Sequence, residues 1–196
     1  MFEGWRFVLG SGSPRRRELL AGLGLEFTVE PVKGDPESYP ADMPFDEVPE
    51  FLARHKSASF GRPLEDDEVL ITADTLVCLD GCLLGKPSGR EEAFGMLRRL
   101  SGRTHQVYTG VAVRRAGEVS SFTACTDVTF KELTDAEIGY YVDHYKPFDK
   151  AGAYGVQEWI GYAGITRIEG SYFNVVGLPV QRLYTELCKL FSNFAD

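Results

Sequence analysis

Three consecutive arginines, Arg15-Arg16-Arg17, follow the run Gly10-Ser11-Gly12-Ser13-Pro14. Guanidinium groups make forked, charge-assisted hydrogen bonds to phosphate and carboxylate oxygens. A helix start adds unpaired backbone N–H groups and partial positive charge, so it too favours an anion. Cations crowded at that end of a helix need an anion to offset them, and a phosphate chain fits. The plainer reading is a basic helix start facing water. Asp74 is the second chemical residue, because it interrupts the apolar run Val69–Val77. A carboxylate inside such a run is costly unless it is paired, metal-bound or at a cleft. Buried acids of this kind tend to mark functional sites, where they can serve as a base.

Other residues join these two on chemical type. Lys56 and Lys86 are candidate phosphate contacts; their plainer roles are a helix-dipole partner and an exposed loop lysine. Gln157 offers an amide donor and an acceptor, suited to the edge of a base. Its plainer reading is one position in a glycine-rich loop, Asp149–Gln157. Asp35 and Glu37 are metal-ligand candidates or ordinary loop acids. Thr75 is a β-branched strand residue or a polar contact. Ser11 and Ser13 lack an adjacent base, which argues against covalent catalysis. His55, His105 and His144 are scattered and read as structural.

The elements that must position these groups are legible in the spacing. Phe7-Val8-Leu9 reads as a buried strand, Ser13 as an N-cap and Pro14 as the first helical residue, with Leu19, Leu20 and Leu23 inward. Phe27–Val32 reads as a second strand. Asp46–Phe60 reads as a helix with Val48, Phe51, Leu52 and His55 on one face. Val69–Val77 reads as a central strand buried on both faces. Asp80-Gly81 predicts a hairpin turn that returns the chain to Lys86, near Asp74. Arg90–Leu100 reads as a helix with Ala93, Met96, Leu97 and Leu100 inward. Thr104–Val113 and Val119–Phe130 predict an antiparallel pair. Thr134 and Glu137 form a capping-box pattern opening a helix to Tyr145. Ile165–Ile168 and Tyr172–Val175 read as short strands, and Gly177-Leu178-Pro179 opens a last helix with Val180, Leu183, Leu187 and Leu190 inward. The expected fold is α/β, a mixed twisted sheet flanked by helices, forming one domain over residues 1–196 with two lobes about a deep cleft.

Composition bounds the rest. The chain has 196 residues, 43 % of them hydrophobic, enough for a full core. The net charge of −8 argues against a general nucleic-acid binder. The four cysteines, Cys78, Cys82, Cys125 and Cys188, have no metal-site spacing and read as reduced thiols. The N-terminal apolar run is too short for a signal peptide, and no segment is long enough to span a membrane. A cytoplasmic protein is expected.

Ser11-Gly12-Ser13-Pro14-Arg15-Arg16-Arg17-Glu18-Leu19-Leu20, Ala73-Asp74-Thr75, Gly85-Lys86-Pro87, Leu100-Ser101-Gly102-Arg103-Thr104-His105 and Asp149–Gln157 occur in the order found in Maf proteins. The chain resembles that family over nearly its whole length. The resemblance implies a Maf/ITPase-like fold and a nucleoside triphosphate pyrophosphatase that releases a nucleoside monophosphate and pyrophosphate. It implies Asp74 as general base, with Arg15, Thr75 and Gln157 linked to base choice and Ser13, Arg16, Lys56 and Lys86 to phosphate. It further implies a divalent cation (magnesium, manganese or cobalt) on Asp74, Asp35 and Glu37, and a homodimer. The Gly155-Val156-Gln157 ending resembles the subfamily acting on dTTP and UTP, with modified pyrimidine nucleotides also in range. The alternatives are a 7-methyl-GTP-type pyrophosphatase and a non-catalytic nucleotide-binding regulator of cell division. Two features depart from the family pattern: Pro36 separates acids that are often adjacent, and Glu158-Trp159 replace a glycine and a small or polar residue.

Overall fold

The computed structural model describes residues 2–33 and 38–192. In chain order the elements are β1 (Arg6–Leu9), α1 (Pro14–Ala21), β2 (Phe27–Val29), α2 (Val48–Ala58), β3 (Glu68–Leu79), β4 (Cys82–Leu84) and α3 (Arg90–Leu100). There follow β5 (Thr104–Arg115), β6 (Glu118–Phe130), α4 (Asp135–Tyr145), a 3-10 turn (Ala151–Ala153), α5 (Trp159–Gly164), β7 (Ile165–Glu169), α6 (Tyr172–Val176) and α7 (Val180–Ser192). The strands form a seven-stranded mixed sheet in the order β2-β1-β3-β5-β6-β7, with β4 paired to β3. β1 runs parallel to both β2 and β3, while β3–β4 and β6–β7 are antiparallel. The architecture is therefore α/β with a mixed sheet flanked by helices.

The chain divides into two compact units, each built from separated stretches. The first comprises Met1–Asp74, Thr109–Ala124 and the segment from Gly177 onward. Its core gathers Phe7, Leu9, Val69 and Ile71 from the sheet with Leu20 of α1 and Leu183 and Leu187 of α7. The odd-numbered Val69, Ile71 and Ala73 of β3 face that core. The even-numbered Thr72 faces the other way, and its hydroxyl donates to the Ala53 carbonyl of α2 at 2.7 Å. Each face of this first-unit half of β3 is thus covered by a helix, as its largely apolar run requires. α2 comes very close to β5: a Cβ on Gly110 would lie 2.1 Å from the Pro49 carbonyl carbon.

The second unit comprises Thr75–Tyr108 and Cys125–Val176. Leu97 and Leu100 of α3, Ile138, Tyr141 and Val142 of α4, and Tyr154 and Val156 beyond it form one buried cluster. The capping box of α4 is complete. Thr134 accepts from the Glu137 backbone N–H, and the Glu137 carboxylate accepts from the Thr134 N–H at 2.8 Å. The Asp80-Gly81 turn has both φ values positive, 52° and 74°, as the type I′ geometry demands.

Three expectations are corrected. Tyr172–Val176 is a helix rather than a strand. Gly170 turns the chain at φ 126°, the Ser171 hydroxyl accepts from the Asn174 N–H, and the buried Asn174 amide donates to the Val107 carbonyl. These polar contacts outweigh the strand propensity of Tyr and Val. The strand Phe27–Val32 stops at Val29, before Pro31, which has no N–H for a ladder. The buried stripe of α2 is Val48, Pro49, Leu52, Ala53 and Ser57. Phe51 and His55 stack on each other at its margin, with ring centroids 6.2 Å apart.

Candidate functional site

The first unit builds its site at the carboxyl end of β1, beside the middle of the longer parallel strand β3; α/β sheets commonly bind ligands where a parallel strand ends. β1 pairs with β3 in the register Leu9↔Ile71, and the Gly10 N–H donates to the Ile71 carbonyl at 2.8 Å. A Cβ on Gly10 would lie 2.7 Å from the Thr72 Cγ2, so the close approach of the two strands requires glycine there. The chain then turns into α1. Ser13 caps the helix by accepting from the Arg16 N–H, with Pro14 at the first turn. The Ser11 hydroxyl accepts from the Ser13 N–H and from an Arg16 Nη, both at 3.3 Å. Arg16 Nε donates to the Gly177 carbonyl at 2.9 Å. The Arg16 fork is therefore oriented by two neutral oxygens at the helix start. Arg15 is half-buried on the same turn, and Arg17 is exposed.

Asp74 lies two residues beyond Thr72, on the face of β3 that α2 covers. Lys56 lies one helical turn after Ala53, the residue that Thr72 contacts. These two spacings, two along a strand and three along a helix, bring the side chains together. Lys56 Nζ donates to Asp74 Oδ1 in a salt bridge. Asp74 is only 6 % exposed. A carboxylate this deep is costly without a partner, and Lys56 is that partner. Sequence spacing assigned Lys56 either to the helix terminus or to phosphate; the ion pair with Asp74 is an additional role.

The remaining expected residues belong to the second unit. Thr75 is half-buried on β3, and Lys86 is exposed two residues after β4. Gly85, beside Lys86, accepts from the Gly152 N–H at 3.1 Å. Gln157 is half-buried at the end of the Asp149–Gln157 loop, and its Oε1 is buried with no hydrogen-bond partner among the described residues. Asp35 and Glu37 lie outside the described residues. Among the described residues, no group of three or more His, Cys, Asp and Glu is arranged to hold a metal ion. No helix among them is long and apolar enough to cross a membrane.

Residues 6–190 match the family model described as Maf-like protein. The chain belongs to the Maf family. Among Maf relatives, it is 53 % identical over 188 residues to a dTTP/UTP pyrophosphatase of Phocaeicola vulgatus, covering 96 % of this chain and 97 % of that one. It is likewise 53 % identical over 186 residues to a dTTP/UTP pyrophosphatase of Bacteroides thetaiotaomicron, covering 95 % of this chain and 96 % of the relative. A dITP/XTP pyrophosphatase structure from Mycobacterium abscessus aligns over 97 % of this chain and all of its own, at 12 % identity and a TM-score of 0.40.

Some arrangements around the candidate residues of each unit carry no sequence signal of their own. Ser11 reads as a turn residue, yet it is buried and holds Arg16. The Gly177 carbonyl comes from the far end of the chain. Lys150, Glu158 and Tyr141 form a buried polar cluster in the second unit, which only their proximity in the fold makes visible.

Proposed function

We propose that this Maf protein hydrolyses dTTP and UTP, and pyrimidine nucleotides modified at the base, to the monophosphate and pyrophosphate. The observation that carries the reading is the ion pair between buried Asp74 of β3 and Lys56 of α2, with β3 beside the strand that leads into the arginine helix start. The strong similarity to dTTP/UTP pyrophosphatases supports the same reaction. Water adds to the α phosphorus, the bond from that phosphorus to the α–β bridging oxygen breaks, and pyrophosphate leaves with the electron pair. Asp74 orients the water and takes its proton, a role a positioned carboxylate fills well. Ser13, Arg15, Arg16, Lys56 and Lys86 offset the charge of the phosphates, so catalysis is chiefly positioning and electrostatics. Gln157 and Thr75 hydrogen-bond the pyrimidine edge. A site that relies on such bonds rejects bases that leave its polar groups unpaired.

Asp74 is a buried, hard oxygen donor, the kind of ligand that a magnesium or manganese ion takes alongside substrate phosphates. Asp74 would hold such a cation, with Asp35 and Glu37 as further ligands in this reading and cobalt as a substitute metal. Bound there, the cation supplies positive charge to the triphosphate and lowers the pKa of the attacking water. A cytoplasmic homodimer completes the reading.

A panel of nucleoside triphosphates, with pyrophosphate release as readout, tests it. Release from dTTP and UTP well above that from purine triphosphates is expected. Preferred release from 7-methyl-GTP would reassign the base. Binding without release from any substrate would make the protein a nucleotide-dependent regulator instead.

A further inference from the structure

The loop that ends in Gln157 is not held by regular structure. Between Lys150 and Glu158 only the three residues Ala151–Ala153 form a turn of helix, and Gly152 within it has φ 66°. A Cβ at Gly152 would lie 3.0 Å from a Val77 methyl, so the backbone is pressed against β3 there. Nevertheless residues 152–156 are all buried. A buried segment without a ladder needs other partners for its polar groups.

The Gly152 N–H finds the Gly85 carbonyl and the Tyr154 hydroxyl finds His105 Nε2; the other partners form one connected cluster. Lys150 opens the loop and is only 8 % exposed. Its Nζ lies 3.1 Å from Glu158 Oε1 and donates to Asp149 Oδ1 at 2.8 Å. Glu158 closes the loop, so the ion pair ties the two ends together across Gln157. The other Glu158 oxygen, Oε2, accepts from the Tyr141 hydroxyl of α4. That hydroxyl in turn accepts from the Gly155 N–H, at 3.0 Å, in the middle of the loop. Tyr141 itself has no solvent exposure. Each member is thus held by the next: first residue to last, last residue to α4, α4 to the centre.

An ion pair this deep is poor value as a stabiliser, because apolar side chains of the same volume usually do as well. What a buried polar cluster supplies is one fixed arrangement. The residue so fixed is Gln157, immediately before Glu158. Its amide can donate through Nε2 and accept through Oε1, and Oε1 is buried with no hydrogen-bond partner among the described residues. A uracil or thymine edge presents an N–H donor beside a carbonyl acceptor, and cytosine presents the reverse. Which of these an amide takes depends on how the amide is turned.

We infer that Lys150, Glu158 and Tyr141 are positioning residues that fix the Gln157 amide, and through it set the preference for uracil and thymine over cytosine. This rests on the proposed pyrimidine triphosphate hydrolysis and extends it to residues that touch neither phosphate nor base.

The test is steady-state hydrolysis of UTP and CTP by the full chain and by Tyr141→Phe, Glu158→Gln, Gln157→Ala and the double variant Tyr141→Phe/Gln157→Ala. Tyr141→Phe is expected to raise KM for UTP about tenfold, change kcat by less than about twofold, and lower the UTP-to-CTP ratio of kcat/KM about tenfold, the scale of one lost hydrogen bond. Glu158→Gln, which keeps an oxygen for Tyr141 but loses the charge facing Lys150, is expected to act in the same direction with a smaller effect. In the Gln157→Ala background, Tyr141→Phe should add almost nothing, since coupled residues are not additive. Full additivity there, or equal losses for UTP and CTP in both single variants, overturns the inference. Should Tyr141→Phe fail to fold, Glu158→Gln alone decides by the same ratio. Absence of pyrimidine triphosphate turnover by the unaltered chain would instead overturn the reaction itself, a different result from turnover without a selectivity change.

Discussion

The two units hold their chemical groups by different means. In the first, Asp74 and Lys56 ride on a long strand and a three-turn helix, and ordinary spacing brings them together. In the second, Gln157 ends an irregular loop fixed by Lys150, Glu158 and Tyr141. Regular elements are rigid because every backbone bond is repeated along them. The loop has no such repetition; beside the Gly152–Gly85 backbone bond and the Tyr154–His105 contact, its two ends and its centre are joined through three side chains. The lesson is that the first site should be hard to misplace and easy to inactivate by its own residues, and the second should be easy to misplace through its neighbours.

The largest effect should come from removing the proposed base in the first unit. Asp74→Asn is expected to lower kcat for UTP by about 100- to 10,000-fold, the range for a positioned general base, while calorimetry still detects nucleotide binding. Turnover within tenfold of the unaltered chain would remove Asp74 from the chemistry and leave its pair with Lys56 structural.

A smaller loss should follow from disturbing the elements that carry the pair. Gly110 has no room for a side chain, because the Pro49 and Glu50 backbone lies within 2.3 Å of a Cβ there. Gly110→Ala must push the start of α2 off the sheet, at about 1–3 kcal/mol by the usual cost of overpacking. Chemical denaturation measures the stability, and a drop in turnover alongside it would show Lys56 displaced from Asp74. An unchanged midpoint would mean that α2 tolerates the shift and that the first unit is less rigid than its spacing implies.

The effect with the least bearing on turnover concerns acid and the second unit. His105 is wholly buried; its Nε2 is 2.7 Å from the Tyr154 hydroxyl, and its ring stacks on Phe130 with centroids 5.6 Å apart. Burial pulls its pKa down from 6.5 to about 4, with Asp127 opposing. The unfolded chain therefore binds the proton first as pH falls. The His105 contribution to stability is fully present above about pH 6.5. It is lost at about 1.4 kcal/mol per pH unit down to about pH 4. Thermal unfolding at pH 7 and pH 5 should show the loss, and His105→Leu should flatten it. An equal pH dependence in that variant would place the acid sensitivity elsewhere.

Much of the regular structure in both units is legible in the sequence, and little of the loop is. The Ser13 cap, the boundaries of Arg90–Leu100, the Asp80-Gly81 turn and the Thr134–Glu137 capping box all follow from local spacing, and the structure has each of them. Asp74 announces itself because an acid inside an apolar run needs a reason. Lys56 is harder: its helix is readable, but its partner is set by how α2 crosses β3. Lys150, Glu158 and Tyr141 lie up to seventeen residues apart along the chain, with no period to join them. Tyr172–Val176 misleads for the same reason. Its residue types favour a strand, while Ser171 and the buried Asn174 amide, bonded to distant carbonyl and hydroxyl groups, make it a helix.

Attack of water on the α phosphorus is the central step of the proposed reaction, and hydrolysis of UTP in water enriched in oxygen-18 tests that step alone. Mass spectrometry of the products should find one heavy oxygen in the nucleoside monophosphate and none in the pyrophosphate. Heavy oxygen in the pyrophosphate would mean attack at the β phosphorus, and neither Asp74 as the base nor the arginine turn as the phosphate clamp could then stand.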